Sequence, residues 1–130
     1  MNDISKVLII IIVLLLCIIG SGIYTNKVLT NDSKELEKHI SIMQNHIKNE
    51  IWQDAENELI YIKEYWSKKQ SNWAILQSHF EIDNIDSALT KLTEYITTEA
   101  LSLALAESSL LMQYIKHIPK NVSFSLENIL

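Results

Sequence analysis

The sequence predicts an all-α protein, in which an N-terminal transmembrane helix is followed by a small antiparallel helical bundle. Three observations lead to this fold class. Residues 7–19, VLIIIIVLLLCII, are apolar without interruption. Between Gly22 and Pro119 there is neither glycine nor proline, and the turns between strands draw heavily on both. Apolar residues also recur at steps of three and four, which is the spacing of a packed helix face.

The apolar segment extends, with tolerable breaks, from Ile4 to Tyr24. At about 1.5 Å per residue it is long enough to cross a hydrocarbon layer of about 30 Å. We therefore expect residues 1–25 to form a signal anchor in the cell membrane and residues 26–130 to form an extracytoplasmic helical domain. The short N-terminal tail favours this orientation. The alternative is a signal peptide cleaved after Gly22, and Leu16 argues against lipid attachment at the neighbouring cysteine.

Composition excludes some classes of function. The formal charge is −5, from 16 acidic residues against 11 basic ones, all of them lysine. Arginine provides the bidentate contact to phosphate and to guanine, so we expect no nucleic-acid binding. The single cysteine, Cys17, lies in the apolar segment, so no intramolecular disulfide can form.

The first bundle helix is predicted to begin at Asn31 or Asp32, both good N-cap residues. Its apolar face comprises Leu36, Ile40, Met43 and Ile47. His39 and His46 flank that face, and we interpret them as core-boundary residues rather than metal ligands. The second segment has a longer apolar face, made of Trp52, Ala55, Leu59, Ile62, Trp66, Trp73, Leu76 and Phe80. Lys69 interrupts it, which indicates either one helix or two helices separated by a turn.

The three tryptophans of the second segment are expected in the core, because each ring buries a large apolar area; a ligand platform is the alternative. The third helix has its own apolar face: Ile82, Ile85, Leu89, Leu92 and Ile96.

The last helix is predicted to run from about Ala100 to Ile118, where Pro119 would end it. Its face comprises Leu103, Glu107, Leu110, Leu111, Tyr114 and Ile118. Glu107 lies within that face and needs a partner if it is buried. The tail beyond Pro119 has apolar residues that are expected to dock onto the bundle: Phe124, Leu126, Ile129 and Leu130.

The strongest candidate for chemistry is HFEIDNID, residues 79–86. His79, Asp83 and Asp86 share one helix face, as three metal ligands on a single helix would. That face lies more than about 90° from the apolar face, whereas bundles bind metals inward. If the chain bends after Phe80, Asp83 instead becomes an N-cap. We therefore predict a helix start or a solvated face, and we assign no catalytic, cofactor-binding or metal-binding residue.

Six segments together carry a family resemblance: WQDAENEL, YWSKKQSNWAIL, HFEIDNIDSALTKLTEYI, LALAE, IKHIP and SLENIL. They resemble the small Firmicute family catalogued as domain of unknown function 4363, over nearly the whole chain. The resemblance implies a short protein of the Gram-positive envelope with an N-terminal membrane segment. It implies no activity, and so no catalytic residues. It also suggests a multi-pass membrane protein partner, because such proteins are often encoded beside family members.

We expect a membrane-anchored accessory module that binds another envelope protein and is not an enzyme. The last helix has apolar residues off its main face, and surplus apolar surface marks either internal packing or a contact site. These residues are Leu101, Leu105, Met112 and Ile115. A self-associating homodimer is one alternative. The other is a metal-dependent enzyme that uses His79, Asp83 and Asp86, helped by Glu107 or His117.

Overall fold

The described residues form four helices in an up-and-down bundle. The computed structural model describes the backbone of residues 2–76 and 79–129, and the side chains of residues 2–74 and 80–118. The helices are α1 (Asp3–Lys48), α2 (Trp52–Leu76), α3 (His79–Thr97) and α4 (Leu101–Ile129). Consecutive helices pack together and α4 closes against α1, so α1 and α3 occupy opposite corners. The predicted helical bundle behind a long apolar helix is confirmed.

Helix α1 is one continuous helix of 46 residues, about 70 Å long. Its first half is long and apolar enough to cross a membrane, and no residue of that apolar stretch is buried. Core packing begins at Leu29, which is 1% exposed. The predicted separate helix starting at Asn31 or Asp32 is therefore wrong. Asp32 accepts hydrogen bonds from α2 and does not cap a helix.

The predicted domain boundary between residues 25 and 26 falls inside α1, with no linker at that point. Whether it separates two functional parts stays a prediction. The apolar segment and the first helix of the bundle are parts of one continuous helix. Any tilt of the apolar segment is therefore transmitted to the bundle.

Two tight turns explain how helices connect without glycine. Glu50, after α1, and Glu99, after α3, adopt left-handed backbone conformations with φ of 56° and 54°. In the first turn the Ile51 N–H donates to the His46 carbonyl over 2.9 Å, and the second turn repeats this bond at 2.8 Å. This pattern is the Schellman motif, which usually has glycine at the left-handed position. Glutamate occupies it here despite the steric cost to its Cβ.

Helix α2 is unbroken, so the turn considered at Lys69 is not there. The Lys69 ammonium instead lies 3.6 Å from the Asp32 carboxylate of α1. Trp66 and Trp73 are buried, at 2% and 0% exposure, as predicted, whereas Trp52 is half-buried at the edge of the core. The buried residues of this face are Ala55, Leu59, Ile62, Trp66 and Trp73.

The buried face of α4 is displaced from the predicted one by one position. Leu103 is 53% exposed, while its neighbour Ala104 is fully buried. The face consists of Ala104, Ser108, Leu111, Ile115 and Ile118. The residues predicted to form surplus apolar surface pack into or against the core: Leu101, Leu105, Met112 and Ile115. They are therefore not a free contact site.

Helix α4 does not stop before Pro119 but continues to Ile129, so the predicted end at Ile118 is wrong. A proline within a helix removes one backbone hydrogen bond and tends to kink the axis, which need not end the helix. The predicted docking of the tail through Phe124 and Leu126 concerns side chains outside the described residues.

Candidate functional site

The acidic residues of HFEIDNID point in different directions. Helix α3 begins at His79, so Asp83 and Asp86 lie inside the helix and neither is an N-cap. Asp83 is exposed, Asp86 is half-buried against α2, and Glu81 faces a cleft beside α4. The His79 side chain lies outside the described residues. Among the side chains that are described, no three of histidine, cysteine, aspartate and glutamate come together as metal ligands.

Asp86 joins α3 to α2, so the prediction of a solvated face or helix start is wrong for this residue. Its Oδ1 accepts a hydrogen bond of 2.8 Å from the indole Nε1 of Trp66. Its Oδ2 accepts another of 2.8 Å from the Gln70 amide. Both carboxylate oxygens are thus engaged in holding two helices together.

Asp32 of α1 is the most deeply buried charged group in the described part of the bundle, at 5% exposure. Its Oδ1 accepts from the Tyr65 hydroxyl over 3.1 Å, and its Oδ2 accepts from the Trp73 indole over 3.2 Å. The Lys69 ammonium, 3.6 Å from Oδ1, supplies the opposite charge. These contacts offset the large cost of removing a carboxylate from water. We call Asp32, Tyr65, Lys69 and Trp73 the Asp32 network.

Burial and charge in the Asp32 network change the acidity of Tyr65. Burial of the ring, then the Asp32 charge and hydrogen bond, raise the pKa of the Tyr65 phenol to about 12 from an ordinary 10.0. An ionised Tyr65 would place its negative oxygen beside the Asp32 carboxylate and would have no proton to donate to it. The neutral phenol is therefore the form that donates.

The two aspartates are connected through α2. The rings of Trp66 and Trp73 meet edge to face, with centroids 5.2 Å apart. Each indole donates to an aspartate of a different helix, Asp86 on α3 and Asp32 on α1. A buried tryptophan usually finds an acceptor for its N–H, and this rule was the sequence signal that could have pointed to such partners. It does not say which acid is the partner.

A second polar cluster lies further along the contact between α1 and α2. The two ring nitrogens of His39 lie 2.7 Å from a Glu58 oxygen and 3.2 Å from a Glu35 oxygen. The Tyr61 ring packs 4.0 Å from the imidazole, and its hydroxyl donates to Glu35 over 3.0 Å. That hydroxyl lowers the pKa of Glu35, and in return Glu35 raises the pKa of Tyr61. His39 thus bridges helices, in agreement with its predicted core-boundary role.

The remaining predicted residues have structural partners or line a cleft. Glu107, predicted to need a partner, lies 3.9 Å from the Lys91 ammonium of α3. Ser33 of α1 donates to the Ile115 carbonyl of α4 over 3.0 Å in a buried hydrogen bond. His117 is exposed and lines the cleft described next. Polar contacts therefore tie α1 to α2 and α4, and tie α3 to its neighbours.

An open cleft of about 320 Å³ lies between α3 and α4, near the connection from α2 to α3. Phe80 and Tyr114 provide its aromatic walls, and Glu81 and His117 are among its polar groups. A smaller depression of about 250 Å³ lies beside α1, where Asn72 of α2 faces the stretch of α1 that ends the apolar segment. Both openings lie at the same end of the bundle.

The arrangement is best suited to fixing helices in register. Asp32, Asp86 and Glu107 each accept from, or pair with, a side chain of a neighbouring helix. Removing one partner of such a contact leaves a buried polar group unpaired, which is costly, so these contacts disfavour slippage between helices.

No curated protein and no solved structure is significantly similar to the chain. One family does match, over residues 23–129, which covers the bundle and the end of the apolar segment. This range includes the aspartates and tryptophans that hold α1, α2 and α3 together. The chain therefore belongs to the family described as Domain of unknown function (DUF4363).

Proposed function

We propose that the chain is a single-pass, membrane-anchored helical module of the Gram-positive cell envelope that binds another membrane protein and has no catalytic activity of its own. The observation that carries the proposal is the continuity of α1. Its N-terminal half exposes apolar side chains on all sides, whereas the same helix is buried in the bundle from Leu29 onward. A lipid bilayer is the environment that such an exposed apolar helix fits.

The polar contacts of the bundle support a module of fixed orientation. Asp32 lies only eight residues beyond Tyr24 on α1, and its network ties α1 to α2 just past the apolar segment. A bundle held in this way turns with its membrane helix. This geometry favours a protein that presents one face to a neighbour in the same membrane. The Gram-positive envelope and a multi-pass partner rest on the family resemblance of the sequence.

Topology is tested by adding protease to intact protoplasts that carry the full chain with a C-terminal tag. Removal of the tag, while a cytoplasmic control protein survives, supports an extracytoplasmic bundle. A protected tag refutes this orientation. A mature chain that begins at Ile23 would refute the uncleaved anchor.

Partner binding is tested by crosslinking in the native membrane, followed by mass spectrometry. A multi-pass membrane protein recovered with the chain supports the proposal, whereas a crosslink of the chain only to itself supports the homodimer. If no specific crosslink forms and deletion leaves the envelope unchanged, the proposal fails.

Gly20 offers a variant that separates partner contact from folding. A Cβ added at this exposed position meets no atom of the chain within 4 Å. Gly20→Leu should therefore leave the bundle intact, and glycine at a membrane helix surface is where another helix approaches closely. Loss of the crosslink in Gly20→Leu, but not in the control Leu14→Ile, would locate the contact in the membrane segment.

A further inference from the structure

We propose that the end of the bundle formed by α2 and α3 rests on the lipid headgroup layer, with the Phe80 ring inserted among the headgroups. The partner of this surface is the bilayer itself. The inference rests on the proposed membrane anchoring and adds to it a second, peripheral contact. It assigns a role to Phe80, which the described residues of the bundle leave 73% exposed.

Contacts between helices give the height of this end relative to the membrane segment. Helix α2 runs antiparallel to α1, since Asp32 contacts Trp73 while His39, further along α1, contacts Glu58. Near its C-terminal end, Asn72 shares a surface depression with α1 residues from Tyr24 to Leu29. The α2 backbone continues beyond Asn72 to residue 76, which adds about 6 Å in the direction of the apolar segment.

The dimensions of a bilayer place that level within the headgroups. The hydrocarbon layer is about 30 Å thick and the whole bilayer about 40–45 Å, so each headgroup layer measures roughly 5–8 Å. Residues 4–24 of α1 span the hydrocarbon at about 1.5 Å per residue. The next five residues, and the end of α2 beside them, then lie at headgroup depth. A bundle joined to α1 without a linker cannot move away from this layer.

Phe80 lies in the first turn of α3, directly after the connection from α2. Single exposed apolar residues are ordinary on protein surfaces and by themselves need no explanation. Phe80 differs from Leu103 in its position along the bundle axis, because Phe80 lies at the end nearest the apolar segment. Leu103 is 53% exposed but belongs to the first turn of α4, at the opposite end. Aromatic rings are favoured at the membrane–water interface, where an apolar ring meets polar headgroups.

The cleft beside Phe80 is consistent with a lipid surface. Tyr114 and His117 of α4 line it together with Phe80, and they combine aromatic rings with groups that form hydrogen bonds. These side chains form one rim at the same end of the bundle. Phe80 therefore lies among polar groups beside α4, which continues past this rim to Ile129, and an apolar ring among polar groups matches the chemistry of the headgroup layer.

The experiment measures probe depth in the full chain, reconstituted into vesicles of phosphatidylcholine and phosphatidylglycerol. Cys17→Ser first removes the native thiol. Phe80→Cys, Asn72→Cys and the control Leu103→Cys are then labelled singly with an environment-sensitive fluorophore. Flotation with the vesicles tests the anchor, and quenching by lipids that carry a spin label near the headgroup tests the docking.

We expect all three labelled proteins to float with the vesicles. The probes at residues 72 and 80 should lose emission to the spin-labelled lipids, while the probe at residue 103 should keep it. Flotation without quenching at residue 80 overturns the docking but leaves the anchor intact, whereas absence of flotation overturns the anchor. Equal quenching at residue 103 would mean that the bundle lies flat, which also overturns the inference. Quenching at residue 80 but not at residue 72 would mean that the probe inserted by itself, which overturns the docking of this end of the bundle.

Discussion

Asp86→Ala should destabilise the bundle, whereas Asp83→Ala should have almost no effect. The two aspartates lie three positions apart on α3 and differ in their burial and in what they contact. Asp83 is exposed. Asp86 accepts one hydrogen bond of 2.8 Å from the Trp66 indole and another of 2.8 Å from the Gln70 amide. Both variants remove a carboxylate from α3, so the difference between them measures the contribution of the Asp86 contacts.

The expected magnitude follows from the environment of the donors. Trp66 is only 2% exposed, so its N–H loses its acceptor in a position with little access to water. An unsatisfied buried donor costs about 1–3 kcal/mol. Gln70 is half-buried and its amide can turn towards solvent, so the loss of its hydrogen bond to Asp86 adds little to the cost. We expect Asp86→Ala to lower the free energy of unfolding by about 2 kcal/mol and Asp83→Ala to change it by less than about 0.5 kcal/mol.

Tryptophan fluorescence of the full chain in detergent provides the assay. All three tryptophans are in α2, so their emission reports unfolding of the bundle and not of the apolar segment. A change of about 2 kcal/mol corresponds to a fall in melting temperature of roughly 8–16 °C for a domain of this size. Asp86→Asn, which keeps one oxygen for the Trp66 indole, should fall between the wild type and Asp86→Ala.

Equal melting temperatures for Asp83→Ala and Asp86→Ala would refute the reasoning, because both positions would then behave as solvated surface. A full loss in Asp86→Asn as well would show that the charge, and not the indole acceptor, stabilises the bundle.

Further expectations concern the Asp32 network, the core and metal content. Spectrophotometric titration should show one tyrosine ionising near pH 12, and this late step should disappear in Tyr65→Phe. Because folding raises the pKa of Tyr65, the contribution of this residue to stability is complete below pH 10. That contribution is lost as the pH rises from 10 to about 12. An unchanged titration in Tyr65→Phe would contradict the assignment. Trp73→Ala should cost about 3–5 kcal/mol in thermal unfolding, and Trp52→Ala clearly less because Trp52 is half-buried; similar losses would mean that both rings are buried alike. Elemental analysis of the purified chain should find no stoichiometric zinc, iron or manganese, and a metal that disappears in His79→Ala would support the enzyme alternative instead.

The sequence alone determined the helices and most of the core, because both depend on local regularities. The steps of three and four identified the buried faces of α1, α2 and α3, and the lack of glycine and proline predicted helices instead of strands. The same reasoning failed where the buried residues are small. On α4 the pattern placed Leu103 inside, whereas Ala104 is the buried residue, since small residues such as alanine and serine weaken the apolar signal.

Only the tertiary structure decided which polar groups meet. Asp32 looks like a helix cap and Asp86 like a solvated acid, because a sequence shows each residue beside its chain neighbours only. Their partners, the indoles of Trp73 and Trp66, belong to another helix, and contact depends on the rotation and axial height of two helices at once. The same holds for Phe80: its exposure and its position near the end of the apolar segment follow from how α2 lies along α1, which no local pattern encodes.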